Sequence, residues 1–527
     1  MMLQNLFIRD FRDMRLRIEK ICTFIWNKRT KTFVGFMVFT VLIVKVFFNT
    51  TYLFRNTSYD RNHMVGIENE NVDMVYIGGS AAFSYWEPLK AWNDCGFTSY
   101  LYATNGIQAE NIKAYIKETQ KTQNPKLYVV GVRAFQYYTN EQEEGGLRRA
   151  TDSMDLTSFA RYGLLKDYFD NRTITDDTDI LSYYLDIAKY HTNIENLGSR
   201  EAWRFINNNG SSPNKGWEWH DSYRYLEESQ GFITDERTEL LENAEKTLVD
   251  LLDYCKEEGL NVLFVVCPYH ITMEDQKKYN TIGDIVKSYG FDYLNTNEYY
   301  DEMGVDFTTD FYDNNHVNLF GAAKYTEFLE HYILDNYDMP DHREDDDYSS
   351  WDEDYLRFIE EETAHAAIIT DLRLDVEKGL QMADEMRQTQ NLSEWYNLAG
   401  DERYTLFIAT GDNVYGPQNI LDQKVMEPMG LKNNIRRQIR IISNSEFIYS
   451  NEEDRNEYAS GFLGFTGEVS YNISVEEGVS SILIRSKEVS LSQKDINIVV
   501  LDNNYEKVVD SVTLRCEDDG MVHIYRE

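Results

Sequence analysis

Short apolar runs alternate with helical patterns along the chain from about residue 70 to residue 340. Five of these runs predict β-strands, at residues 72–79, 97–104, 126–132, 261–269 and 291–297. Their nearly continuous apolar character is typical of strands buried on both faces, as in a parallel sheet. Helical patterns such as 109–122 and 238–259 lie between them. The alternation predicts an α/β domain over residues 60–340, in which a parallel sheet lies between two layers of helices.

Three further regions depart from this alternation. Residues 140–235 are rich in aromatic side chains and predict a largely helical insertion, including the stretch GWEWHDSYRYL at 216–226. An acidic, loop-like stretch follows the α/β domain, and residues 341–395 predict an acidic linker with helices. Residues 396–527 hold short apolar runs separated by turn residues such as GDN and DNN, which predicts a β-rich accessory domain.

An apolar segment at residues 32–54 is long enough to cross a bilayer as a helix. Basic residues outnumber acidic ones in residues 1–31, and little positive charge follows the segment closely. The positive-inside rule then predicts a single-pass signal anchor in the cell membrane, with residues 1–31 in the cytoplasm and the bulk of the chain outside. No small-residue cleavage site follows, which favours an anchor over a removed signal peptide. The alternative is a buried core helix.

The net charge of −38 makes nucleic acid an unfavourable partner, because phosphate binding needs a basic surface. The five cysteines show no metal-binding spacing, and the chain contains no P-loop, GxGxxG or HExxH motif. We therefore expect neither a metal nor a cofactor. The GxSxG motif of α/β-hydrolases is also absent.

Two short stretches carry the candidate chemistry. Gly-Gly-Ser ends the first predicted strand and puts Ser80 at its carboxyl end, where the functional crevice of a parallel sheet lies. Taken alone, Gly-Ser after a strand is an ordinary turn signal. Asp313 and His316 are separated by two residues and lie just before the last helix of the α/β domain. Acyl transfer by a serine needs an imidazole to accept the hydroxyl proton and a carboxylate to orient that imidazole.

This arrangement resembles the SGNH (GDSL-like) hydrolase superfamily over about residues 70–337. The resemblance implies that the domain is SGNH-like, with Ser80 as nucleophile, His316 as general base and Asp313 as its partner. The stretch SYLYATNGIQAENIKAYIK is similar to the family's second block, whose backbone helps form the oxyanion hole. Asn105 and Gly106 are the candidates in that block.

The family's third block normally carries an Asn, but here it is GVRAFQ at 131–136. Arg133 is a candidate replacement donor for the oxyanion; the alternative is a structural or solvated arginine. Tyr269 and His270 follow the fourth strand and are candidate pocket residues, with His270 more typical of packing. Arg148 and Arg149 either meet an anionic polymer or form salt bridges.

The membrane-anchored organisation looks closest to the extracytoplasmic polymer-acylation proteins of teichoic-acid D-alanylation and alginate acetylation. This resemblance implies an O-acyltransferase or esterase acting on a cell-surface glycan or related envelope polymer, with acetyl as the expected acyl group. A transferase would need a multi-span membrane acyl-donor protein as partner. The C-terminal strands resemble the ILEI/PANDER-like lectin fold, which implies carbohydrate binding; a plain accessory role is the alternative. The alternative for the whole chain is a catalytically inactive envelope-assembly or glycan-binding protein.

Overall fold

The computed structural model describes residues 28–54, 71–141, 143–154, 157–174, 179–193, 212–226, 232–412, 414, 416–431, 435–451, 453–464 and 467–526. A five-stranded sheet contains β1 (Met74–Gly78), β2 (Ser99–Ala103), β3 (Leu127–Gly131), β4 (Val262–Val266) and β5 (Asp292–Asn295). The strand order is β2-β1-β3-β4-β5, and every neighbouring pair is parallel. The predicted strands and their parallel arrangement are confirmed.

Helices pack against both faces of this sheet. Along the whole described chain, the α-helices are α1 (Lys28–Phe54), α2 (Ser80–Phe83), α3 (Pro88–Cys95), α4 (Ala109–Thr119), α5 (Arg133–Gln136), α6 (Glu144–Ser153), α7 (Phe159–Asn171), α8 (Leu181–Tyr184), α9 (Asp186–Tyr190), α10 (Glu242–Glu257), α11 (Met273–Ser288), α12 (Tyr300–Met303), α13 (Leu319–Asn336), α14 (Ser349–Gln388), α15 (Leu392–Ala399) and α16 (Ile420–Met426). On one face Tyr76 of β1 reaches the Tyr325 hydroxyl of α13 at 3.0 Å. On the other, Tyr102 of β2 stacks on Tyr115 of α4 with ring centroids 3.9 Å apart.

Among the described residues of the insertion, helices lie only in its first part. Helices α6 to α9 lie there, but residues 217–226 form no helix, so the prediction for GWEWHDSYRYL is wrong. Backbone groups of this segment form hydrogen bonds with distant parts of the chain. The N–H of Arg224 donates to Phe311 O at 2.8 Å, and that of Leu226 donates to Phe307 O at 3.0 Å. Tertiary hydrogen bonds therefore replace the helical ones that the local pattern favours.

Helix α14 occupies most of the region predicted as a linker with helices. It runs for 40 residues directly after the acidic stretch. Trp351 and Phe358, near its start, belong to the core of the α/β domain. Ala383 and Met386, near its end, belong to the core of the C-terminal region. One continuous helix thus packs in both cores.

The C-terminal region is β-rich, as predicted, and its neighbouring strands are antiparallel. Its strands are β6 (Tyr404–Thr410), β7 (Ile439–Ser443), β8 (Glu446–Ser450), β9 (Glu457–Leu463), β10 (Val469–Glu476), β11 (Val479–Ile484), β12 (Lys487–Glu488), β13 (Ile496–Asp502), β14 (Lys507–Cys516) and β15 (Val522–Tyr525). They form a six-stranded sheet, β15-β14-β13-β6-β7-β8, and a four-stranded sheet, β12-β11-β10-β9. Phe407 of β6 faces the core that the two sheets share, whereas Ile408 shares a core with Trp395 of α15.

Helix α1 covers the predicted anchor, and its large apolar side chains between residues 33 and 44 are exposed. Over the residues that the structure describes, no helix combines the length and the apolar character needed to cross a membrane. The predicted basic segment lies almost wholly in residues 1–27, outside the described residues.

A buried ion pair ties the insertion to the α/β domain and generates a stability prediction. Arg172, at the end of α7, donates through Nε and Nη2 to the two carboxylate oxygens of Glu110 in α4, at 3.0 and 2.9 Å. Arg172→Met leaves a buried carboxylate without its partner, so we expect the free energy of unfolding to fall by about 3–5 kcal/mol. Urea unfolding of the purified chain measures this loss.

Two further variants make the test specific. Lys166→Met breaks an exposed pair with Asp170 in the same helix and should change stability little. Glu110→Gln combined with Arg172→Met removes both charges and should recover much of the loss. Equal unfolding midpoints for Arg172→Met and Lys166→Met would contradict the assignment.

Candidate active site

Ser80 is the first residue of α2, and only Gly79 separates it from Gly78, the last residue of β1. A Cβ atom at Gly78 would lie 2.9 Å from the Cβ of Ala82, and one at Gly79 would lie 3.1 Å from Ile107 Cγ2. Glycine at these positions therefore allows α2 to start close against the strand end. In a sheet ordered 2-1-3-4-5, the chain leaves β1 and β3 in opposite directions, and ligands bind in the crevice between them. Ser80 lies at that crevice.

The structure brings Ser80, His316 and Asp313 into one hydrogen-bonded chain. Ser80 Oγ lies 2.7 Å from His316 Nε2, and His316 Nδ1 lies 3.0 Å from both carboxylate oxygens of Asp313. A carboxylate only accepts hydrogen bonds, so the proton of the neutral imidazole belongs on Nδ1. Nε2 is then free to accept the Ser80 hydroxyl proton. The geometry is that of a nucleophile, a base and the group that orients the base.

The pKa of Asp313 favours this protonation state. Burial alone would raise the pKa of the carboxyl group, but the hydrogen bonds from His316 and from the Asn315 backbone N–H, at 2.6 Å, outweigh it. The net effect is a pKa below the ordinary value for aspartate. Asp313 is therefore ionised at neutral pH and stabilises positive charge on His316.

Arg133, the first residue of α5 after β3, lies in the same crevice. Its Nη1 donates to Asn315 O at 2.9 Å and its Nη2 donates to Asn315 Oδ1 at 2.7 Å. The guanidinium also lies 3.9 Å from the ring centroid of Tyr269. No carboxylate of the described residues forms an ion pair with it. A fixed cation without a counter-charge, placed beside Ser80, is suited to an anion.

Asn105 and Gly106 line the same cavity as Ser80 and Arg133. The insertion supports their loop, because Arg149 Nε donates to Asn105 O at 2.7 Å. Arg148 is buried, so it does not present its charge to a polymer at the surface; it donates to Ser182 O at 2.8 Å and lies over the ring of Tyr183.

Tyr269 and His270 are not among the residues that line the cavity, so their prediction as pocket residues is wrong. Tyr269 is buried beneath Arg133, and its hydroxyl is 3.0 Å from that of Tyr279. His270 packs edge-on against Phe307, and its backbone N–H donates to Asn314 O at 3.2 Å. Tyr269 thus supports a cavity residue, and His270 has the packing role named as its alternative.

Sequence reasoning missed a second serine–histidine pair beside the first. Ser84 Oγ lies 2.7 Å from His220 Nε2, and the ring of His220 stacks on Tyr312 at 4.5 Å. Tyr312 in turn stacks on His316 at 5.3 Å. Burial, with a contribution from His316, lowers the pKa of His220 to about 4, so this imidazole is neutral at pH 7. The available signal was a histidine within the aromatic run WEWH.

No protein-family model matches the chain, and no curated protein matches its sequence. The resemblance to SGNH hydrolases therefore stays a prediction. Within the part of the chain that the structure describes, no group of three or more His, Cys, Asp or Glu side chains is arranged to hold a metal ion.

The half-buried Glu218, on the segment that carries His220, generates a prediction about pH. Its N–H donates to Phe83 O at 3.2 Å, its Oε1 has no hydrogen-bond partner, and burial raises its pKa to about 7. The ordinary value is near 4.5, so the unfolded chain loses this proton first. The contribution of Glu218 to stability is therefore full below pH 4.5 and is lost as the pH rises through 7.

Glu218→Gln removes this dependence, so we expect the variant to be more stable than the wild type at pH 8 and similar to it at pH 4.5. Chemical unfolding at pH 4.5, 6, 7 and 8 measures the difference. Glu239→Gln, at an exposed position, is the matched control. A constant difference between Glu218→Gln and the wild type at all four pH values would contradict the shifted pKa.

Proposed function

We propose that the chain is an SGNH-type serine acyl-handling enzyme that transfers or hydrolyses an ester-linked acyl group. The observation that carries the proposal is the continuous hydrogen-bonded chain from Ser80 through His316 to Asp313. Its position at the crevice between β1 and β3 adds support, because parallel sheets bind ligands there.

In the first half-reaction, Ser80 Oγ attacks the ester carbonyl carbon while His316 Nε2 takes the hydroxyl proton. The carbonyl oxygen becomes an oxyanion in the tetrahedral intermediate. When the carbon–oxygen bond of the ester breaks, His316 returns its proton to the leaving alcohol, and the acyl group remains on Ser80. In the second half-reaction, water or an acceptor hydroxyl gives its proton to His316 and attacks the acyl carbon. Ser80 leaves and regains the proton from His316.

Arg133 is the proposed oxyanion donor in place of the missing third-block Asn. Two of its five N–H bonds go to Asn315, which fixes the guanidinium at the cavity that holds Ser80. A preorganised cation placed where negative charge develops stabilises the transition state more than the ground state. The loop of Asn105 and Gly106 lines the same cavity and is the proposed second contributor.

The proposed substrate is an acylated cell-surface glycan or related envelope polymer, and the proposed site of action is outside the cell membrane. Both follow from the resemblance to polymer-acylation proteins and from the predicted anchor. If the chain is a transferase, a multi-span membrane protein is the proposed acyl donor. The β-rich C-terminal region is proposed to assist, with carbohydrate binding as one role. The alternative of an inactive envelope-assembly or glycan-binding protein rests on the block GVRAFQ.

The first functional prediction concerns the three hydrogen-bonded residues. The purified full chain should hydrolyse p-nitrophenyl acetate, and Ser80→Ala should remove that activity. Asp313→Asn should lower kcat by about 10³–10⁴-fold, because an amide no longer holds His316 in its productive tautomer. Ser288→Ala, on the exposed side of α11, is the matched control.

Equal rates for the wild type, Ser80→Ala and Ser288→Ala would exclude the enzymatic proposal. The direction of the reaction needs a separate measurement, namely the acylation of envelope polymers in cells that carry Ser80→Ala. Loss of polymer acylation indicates a transferase, whereas increased acylation indicates an esterase.

The second functional prediction concerns Arg133. Arg133→Met should lower kcat by about 10²–10³-fold with little change in KM, because the lost interaction forms with the transition state. Arg237→Met, which breaks an exposed pair with Asp284, is the matched control. An unchanged kcat in Arg133→Met would assign the oxyanion contact to other groups.

A further inference from the structure

A cavity of about 200 Å³ begins at Ser80 and extends between the carboxyl ends of β1, β3 and β4. The polar residues of its lining include Ser80, His316, Asn315, Asn105 and Arg133. The rest of the lining consists of small or apolar residues, among them Tyr76, Gly78, Ala82, Gly131, Val265 and Cys267. The cavity thus joins a polar group of residues at the reactive serine to an apolar interior.

The side chains that line the interior do not need hydrogen bonds from a ligand. The Tyr76 hydroxyl already lies 3.1 Å from Cys267 Sγ and 3.0 Å from the Tyr325 hydroxyl. Val265 offers only methyl groups. An apolar substituent that enters this space buries its surface without separating a polar group from water, which is favourable. Of the two sides of an ester, the acyl chain is apolar, whereas a sugar alcohol is polar and would lose the hydrogen bonds of its hydroxyl groups in this interior.

We propose that this cavity holds the acyl chain and selects unbranched acyl groups of two to about four carbons. The inference rests on the proposed function and adds its substrate class. A cavity of about 150 Å³ holds benzene, a molecule of six carbon atoms. The observed volume also has to hold the carbonyl carbon and the oxyanion, which leaves room for a short chain. A chain of about eight carbons exceeds it.

Gly131, at the end of β3, is proposed to set the depth of the cavity. A Cβ atom at this position would lie 3.7 Å from Gly78 Cα and from Ile77 O, which are ordinary contacts. The fold therefore accepts alanine at 131, and the added methyl group takes volume from the cavity that Gly131 lines. Gly78 differs, because its Cβ would lie 2.9 Å from Ala82 Cβ in the helix that begins with Ser80.

The test compares p-nitrophenyl acetate, butyrate and octanoate as substrates of the full chain. For the wild type we expect kcat/KM for acetate and butyrate to agree within about tenfold and octanoate to be at least about 100-fold poorer. Gly131→Ala should lower the butyrate-to-acetate ratio by at least about tenfold. Gly163→Ala, which adds a methyl group in open space on α7, should leave the ratio unchanged. Val265→Ala should move the preference towards longer chains.

Equal wild-type rates for acetate and octanoate, or an unchanged ratio in Gly131→Ala, would overturn the inference. A binding measurement, which needs no catalysis, distinguishes failure of the acyl-pocket inference from failure of the proposed function. Ligand-observed NMR of the Ser80→Ala chain should detect butyrate binding, and the Ser80→Ala/Gly131→Ala chain should bind it at least about tenfold more weakly. Equal butyrate binding to both chains overturns the pocket assignment. Activity that is equal in the wild type and Ser80→Ala instead overturns the proposed function, whatever the binding result.

Discussion

The hydrogen bond between Ser80 and His316 joins residues 236 positions apart, and the fold around the crevice depends on holding them together. The backbone carbonyl of Asn315, next to His316, accepts hydrogen bonds from two side chains that follow different strands of the sheet. It accepts from Tyr85 Oη at 3.0 Å and from Arg133 Nη1 at 2.9 Å. The single hydroxyl proton of Tyr85 is shared with Pro268 O, which lies 2.7 Å from Tyr85 Oη and just beyond β4. Residues that follow β1, β3 and β4 are therefore linked by hydrogen bonds to the loop that contains Asp313 and His316.

Much of the α/β domain was predictable because its strands are buried on both faces. Residues 74–78 and 262–266 are fully buried, and such strands appear in the sequence as apolar runs. The grouping of Ser80, Asp313 and His316 was also predictable, since the end of a parallel strand and a loop before the last helix meet at one edge of the sheet. The chain itself carries both signals.

The rest depends on contacts that no local pattern encodes. Residues 217–226 have an aromatic composition compatible with a helix, but hydrogen bonds to Phe307 and Phe311 keep them irregular. This conformation brings His220 to Ser84 and Tyr312. The orientation of Arg133 similarly depends on Asn315, 182 positions away. Side chains that are placed by a distant partner are where prediction from the sequence fails.

The charges of the site explain why a neutral His220 suits the proposed reaction. Before reaction, the site holds one negative charge, on the ionised Asp313, and one positive charge, on Arg133. Attack by Ser80 creates two new charges: a positive charge on His316, beside Asp313, and an oxyanion, in the cavity that Arg133 lines. Each forms near a fixed group of opposite sign, so little reorganisation is needed. The Tyr312 ring stacks between His220 and His316, so a protonated His220 would lie close enough to repel the imidazolium of His316. The pKa of His220, about 4, keeps that charge absent at neutral pH.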